Sequence, residues 1–211
     1  MKTIWKRIFL LLTGLTIAHF GVTLFIQADL GADPFNVLVQ GIYRRVPWPG
    51  VLSWTHGRTH ILICTLIIVI LLAVDRHYIK IGTVLCMALG GPIIDGFSWL
   101  LGGVINNTLP LPIRIVLLVA GCVILAAGMT IVIKSEAGTG PNDLVAIVIS
   151  DKSRKPFGAV RILTDICFVA AGFCLGGTVG LGTLICAFVV GPVAQKCMPY
   201  AEKFCQKVIS T

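Results

Sequence analysis

Charge is scarce in this sequence. Asp, Glu, Lys and Arg together make up 12% of the chain, about half the share of an ordinary soluble domain. So few charged side chains cannot clothe a soluble globule. The signatures of the commoner chemistries are absent as well. There is no His-Glu-x-x-His, no Gly-x-Ser-x-Gly and no phosphate-cradling glycine loop, so an enzyme is not expected. Neither Cys-x-x-Cys nor a Cys/His ligand spacing occurs, which argues against a metal site, and nothing calls for a cofactor.

What fills the chain is apolar sequence, 56% of it hydrophobic. A membrane-crossing helix needs about 20 mostly apolar residues, so 211 residues hold about six spans and no soluble domain. The runs are Ile8 to Ala28, Thr59 to Val74, Ile81 to Leu101, Ile113 to Ile133, Phe157 to Leu175 and Val179 to Gln195. The first follows Lys2, Lys6 and Arg7 as a secretory signal would. It is too long for a signal core, however, and Ile26 stands where cleavage before Asp29 needs a small residue. Six of the eight cysteines lie inside apolar runs and read as small packing residues. The expected fold is an all-α polytopic membrane protein, residues 1–211 forming a single membrane domain.

The net charge of +8 would point to nucleic acid in a soluble protein. Here the Lys and Arg cluster between apolar runs, which reads as orientation in the bilayer and not as a nucleic-acid surface. The start, the Arg76/His77/Lys80 turn, the Lys134 to Lys155 loop and the tail are basic, whereas Gly102 to Pro112 and Gly176 to Gly180 carry no charge. Both termini are therefore expected in the cytoplasm, with the chain multi-pass in the cell's inner membrane. Arg44, Arg45 and Arg58, flanking the long outer connection, run against this asymmetry. The tail from Pro199 to Ile209 puts Phe204, Cys205 and Val208 on one face and Glu202, Lys203 and Lys207 on another, the pattern of a C-terminal interfacial helix.

An internal repeat is the most informative feature. Gly21 to Asn36 aligns without gaps on Gly128 to Asp143, matching Gly31 with Gly138, Pro34 with Pro141, Asp29 with Glu136 and Asn36 with Asp143. A second block, Gly82-Thr83-Val-Leu-Cys86 with Gly91-Pro92, returns as Gly182-Thr183-Leu-Ile-Cys186 with Gly191-Pro192. A weaker match pairs Arg58 with Arg161. The unit is three spans, 1–105 and 106–211, and an odd number of spans makes the copies insert in opposite orientations. Inverted three-helix repeats are the plan of many secondary transporters.

Each corner reads as a helix ended by a glycine in the left-handed conformation (Gly31, Gly138), followed by a short helix opened by a proline (Pro34, Pro141). Asp33 is the expected N-cap of the first; Thr139 or Gly140 occupies that place in the second. Dipping into the membrane, these short helices would offer dipole ends to a ligand; lying flat, they are connectors. The cost of immersing Asp29, Asp33, Lys134 and Glu136 favours an interfacial or shallow re-entrant placement.

Ionisable residues inside spans are candidates by default, and three occur: His19, Asp95 and Asp165. Asp165 shares a helix face with Arg161 four residues earlier, either as a structural ion pair or as part of a site. Asp95 follows the Gly91-Pro92 kink, either beside freed carbonyls or hydrated near the outer interface. His19 suits a neutral, hydrogen-bonded packing role more readily than proton carriage. A polar cavity between the halves would draw its lining from His19, Asp29, Asn36, Asp95, Glu136, Asp143, Arg161 and Asp165, with Asp95 and Asp165 foremost. Gly14, Gly21, Gly82, Gly90, Gly121, Gly128, Gly172 and Gly182 are expected to let helices approach closely.

Ala28-Asp29-Leu30-Gly31 with Pro34-Phe35-Asn36, Gly91-Pro92-Ile93-Ile94-Asp95 and Gly138-Thr-Gly-Pro141 resemble the YczE/YitT-like family of bacterial inner-membrane proteins, over nearly the whole chain. The second corner departs from the family pattern, with Asn142 where an aromatic would stand. The resemblance implies location and architecture, and no established substrate or cofactor. The leading functional expectation is a secondary transporter of a small polar molecule; the alternative is a non-transporting membrane protein that assists or regulates a partner complex. Six short spans are few for a lone carrier, so a homodimer in the lipid bilayer suits it. Cysteines introduced at positions 103 and 178 should react with an impermeant reagent in intact cells; reaction only after permeabilisation would reverse the orientation.

Overall fold

A computed structural model describes residues 2–46, 56–105 and 109–210, with the side chains of residues 2, 56–58 and 95 outside that description. Every regular element among the described residues is helical: α1 (Lys2–Gln27), α2 (Pro34–Arg45), α3 (His56–Asp75), a single 3-10 turn (Arg76–Tyr78), α4 (Ile81–Leu101), α5 (Leu111–Lys134), α6 (Pro141–Ser153), α7 (Phe157–Cys174) and α8 (Leu181–Ser210). Six of them, α1, α3, α4, α5, α7 and α8, are long and apolar enough to cross a membrane. The chain is thus a multi-pass membrane protein. α2 and α6, with 12 and 13 residues, are about 18–20 Å long, too short for a hydrocarbon core of about 30 Å.

The centre is the crossing of α1 and α5. A Cβ built on Gly14 would stand 2.8 Å from Val132 N and 2.9 Å from Gly128 O, and one on Gly121 would stand 2.7 Å from Gly21 O. Gly14 thus faces Gly128 and Gly21 faces Gly121, so the helices run antiparallel with their backbones touching. Lipid supplies no hydrophobic drive for such contacts, and close packing at small residues takes its place. The expected packing glycines all lie against neighbouring chain, Gly82 and Gly90 on α4, Gly172 on α7 and Gly182 on α8 included. Around this crossing, Phe25, Leu118, Cys122, Ala126, Val190 and Ala194 form a fully buried core.

The two corners share one backbone course. Asp29 and Glu136 have φ of +49° and +58°, and Gly31 and Gly138 have +137° and +136°. The left-handed residue closing each long helix is therefore the acid, not the expected glycine two places on. The glycine adopts a φ that side chains avoid because the chain there runs against another backbone. A Cβ on Gly31 would meet Gly180 Cα at 2.9 Å, and one on Gly138 would meet Gly82 Cα at 2.9 Å. Each corner is also pinned by the opposite half: Gly182 N–H donates to Leu30 O at 2.8 Å, and Gly82 N–H donates to Ala137 O at 2.9 Å. Asp33 caps α2 by accepting from Asn36 N at 3.2 Å, whereas Gly140 caps α6 without a side chain.

α2 lies alongside the end of α7 instead of crossing over it. Phe35 meets Phe168 at 5.5 Å between ring centroids, Gly41 backs onto Gly172, and Arg44 donates to Gly176 O at 2.8 Å. The first turn of α2 thus sits about 9 Å along α7 from its end. α6 answers this on α3, where Leu144 and Val148 pack with Leu71 and Tyr78.

The tail is helical: residues 199–209 continue the sixth span within the 30-residue α8, through Pro192 and Pro199. The continuation is held down by Cys205, 1% exposed, by the Lys134–Glu202 pair at 2.7 Å and by Lys6 Nζ donating to Ile209 O at 3.3 Å.

Gly14→Ala and Gly128→Ala should each destabilise the protein by about 1–3 kcal/mol through overpacking, read as a lower unfolding temperature in detergent. Gly91→Ala and Gly96→Ala, where a Cβ meets nothing within 4 Å, should leave it unchanged or slightly raised.

Candidate functional site

Among the described residues, the buried charges, Arg161 and Asp165, stand on α7. Arg161 and Asp165 stand one turn apart, and Arg161 Nε donates to Asp165 Oδ2 at 3.0 Å. Asp143, in the first turn of α6, accepts from Arg161 Nη1, and Met129 Sδ of α5 lies 3.9 Å from the same nitrogen. The Asp165 side chain is 1% exposed, those of Arg161 and Asp143 10% and 18%. The guanidinium fork meets two carboxylates at once, which an ammonium would not match in plane. Two anions share one cation, and Asp165 Oδ1 is buried without a partner.

The intramembrane His19 packs between α1 and α4. His19 itself is tied by Nδ1 to Leu15 O at 2.8 Å, with Gly90 of α4 against its other ring nitrogen. The first turn of α6 thus brings Asp143 to the Arg161–Asp165 pair. Asn36 Nδ2 donates to Asp33 Oδ2 at 2.5 Å and belongs to the same region.

The remaining candidates lie elsewhere. Asp29, its side chain 68% exposed, faces Arg114 at 3.8 Å, and Arg114 also donates to Ala28 O at 2.7 Å. Glu136, 60% exposed, faces Arg7 at 2.8 Å. Both are corner residues held from the partner helix of the α1–α5 pair. The Asp95 side chain lies outside the described residues, as does that of Arg58. A cavity of about 400 Å³ opens beside α6, lined by His77, Tyr78, Lys80, Glu136, Thr139 and Asp151 among others. The Thr139 hydroxyl at its edge is buried without a partner.

One constellation escaped the sequence reading. On α3, His60 Nδ1 lies 3.7 Å from Cys64 Sγ, and the His60 ring meets Phe35 at 5.4 Å, edge to face. The signal was present as spacing: Gly57-x-x-His60-x-x-x-Cys64 stands where the other half has Gly158-x-x-Arg161-x-x-x-Asp165. Pairing Arg58 with Arg161 by charge hid it.

The family of unknown function DUF6198 matches residues 5–199, and the chain belongs to that family. An uncharacterized membrane protein of Bacillus subtilis (strain 168), YczE, is 27% identical over 187 residues, 88% of this chain and 82% of that one. YyaS of the same organism is 25% identical over 193 residues, 90% and 91% of the two chains. An uncharacterized protein of Haemophilus influenzae is 27% identical over 191 residues, 90% and 83% of the two. The resemblance read from the corner motifs agrees with these relatives. No solved structure matches the chain.

Arg161→Met would strand two buried carboxylates and should cost about 3–5 kcal/mol. Adding Asp143→Asn and Asp165→Asn should recover much of that loss in detergent unfolding; a triple variant as unstable as Arg161→Met would remove the charge argument.

Proposed function

We propose that this family member is a secondary transporter of a small polar molecule, not an enzyme, working by alternating access between inverted repeats 1–105 and 106–211. It sits in the inner membrane with both termini cytoplasmic, in the bilayer as a homodimer, and needs neither cofactor nor nucleic acid.

The observation that carries the reading is reciprocity. Gly182 N–H to Leu30 O is matched by Gly82 N–H to Ala137 O, and Arg114 beside Asp29 by Arg7 beside Glu136. Every partner in one contact is the aligned counterpart of the partner in the other. Contacts that exchange in this way between antiparallel helices have a twofold axis perpendicular to those helices, and for spanning helices that axis lies in the membrane plane. Such a molecule has two equivalent ways to open. The half-helices α2 and α6, with Asp33 and Asp143 in or beside their first turns, flank a buried ion cluster, where irregular backbone is tolerated if it lines a pathway.

Cysteines at the aligned positions Ala32 and Thr139 should label from opposite sides of the membrane. With purified protein in liposomes, a panel of amines, amino acids, sulfur compounds and sugars should yield at least one compound whose uptake Asp165→Asn and Asp95→Asn abolish while both variants stay in the membrane. Labelling of both corners from one side, or full uptake by both variants, would defeat the transporter reading.

A further inference from the structure

The Arg161 cluster has a counterpart in the first half, and the two differ in charge. Asn36 aligns with Asp143, and His60 and Cys64 stand at the spacing of Arg161 and Asp165. In both halves the short helix supplies one residue and the following span supplies two, one turn apart. The His60–Cys64 approach of 3.7 Å thus repeats the Arg161–Asp165 bond of 3.0 Å, with neutral polar groups in place of ions. The two sets face a common region: Phe35, beside Asn36, packs on His60 and also on Phe168 of α7, three residues after Asp165.

The charged set is incomplete. Two carboxylates meet one guanidinium, and Asp165 Oδ1, on a side chain 1% exposed, has no hydrogen-bond partner. An unbalanced carboxylate in an apolar interior is costly, and a bound cation removes that cost. Phe168, three residues after Asp165 on α7, packs with Phe35 of α2, and aromatic rings attract organic cations.

Resting on the carrier reading above, we propose that its site takes a small organic cation, whose protonated amine sits at Asp165 Oδ1 and whose neutral polar end lies toward Asn36, His60 and Cys64. A buried carboxylate oxygen at one end and the amide, imidazole and thiol at the other give the ligand a single orientation. The site also selects against anions, which would meet Asp143 and Asp165, and against wholly neutral molecules, which leave Oδ1 unpaired.

The test is thermal unfolding of the purified full chain in detergent with ethanolamine, ethylene glycol, glycolate or sodium chloride at matched ionic strength. Ethanolamine should raise the unfolding temperature saturably by about 5 °C, the size expected when ligand far exceeds its Kd. The other three should not. The shift should vanish in Asp165→Asn, survive in Asp165→Glu, and need higher ethanolamine in His60→Ala. Should Asp165→Asn not be recovered folded, the His60→Ala titration and the neutral probe decide. An equal shift with sodium chloride, a shift with ethylene glycol, or none with ethanolamine overturns the assignment. Ethanolamine binding without uptake of any amine in liposomes would leave this site standing and remove the carrier. Uptake of an anion or a sugar with ethanolamine inert would do the reverse.

Discussion

The contact of α1 with α5 is the constraint on which the remaining structure depends. Two helices brought to backbone contact at Gly14, Gly21, Gly121 and Gly128 have their relative depth set to within a fraction of a turn. That depth places Arg7 beside Glu136 and Arg114 beside Asp29, and so sets where each chain leaves its long helix and turns into its corner. Given the corners, the hydrogen bonds from Gly82 and Gly182 fix the start of α4 and α8. A side chain at any of these glycines acts on all of this at once, since no lipid-filled gap can take up the difference.

The buried cluster follows a different logic. Burial of a charge pair is weak evidence for stability, because desolvation offsets much of the attraction. Asp143, Arg161 and Asp165 stand where α5, α6 and α7 meet. An apolar set of similar volume would fold as well or better, whereas the present one holds an unpaired oxygen where a ligand group can reach only by entering the protein.

Much of the architecture was legible because it is written in run length and alignment. Six apolar runs became six long helices, and Pro34 and Pro141 opened the two short ones, since proline at a first helical position costs no hydrogen bond. The corner dihedrals were legible in part: a positive φ was needed at each break, but the acid took the left-handed turn and the glycine a more open conformation, because close backbone approach is invisible in one strand of sequence. The C-terminal face pattern showed a helix with Cys205 on its apolar face, and Cys205 is covered; that this helix runs on from the last span was not legible, as amphipathicity tells which face is covered and not what precedes it. Asp143 with Arg161 and Asp165 was foreseen residue by residue but not as one cluster, because α6 reaches α7 through a fold-level contact. His60 was missed since, neutral and near a span's start, it raised no charge signal.

The halves are alike in plan and unlike in how tightly they are closed. Gly191 of α8 is pressed against Gly158 of α7, while its aligned partner Gly91 on α4 faces open space; the apolar window of α8 is 39% buried and that of α4 is 12%. α8 therefore turns more of its apolar surface inward, and α4 leaves more of its own facing whatever surrounds the protein.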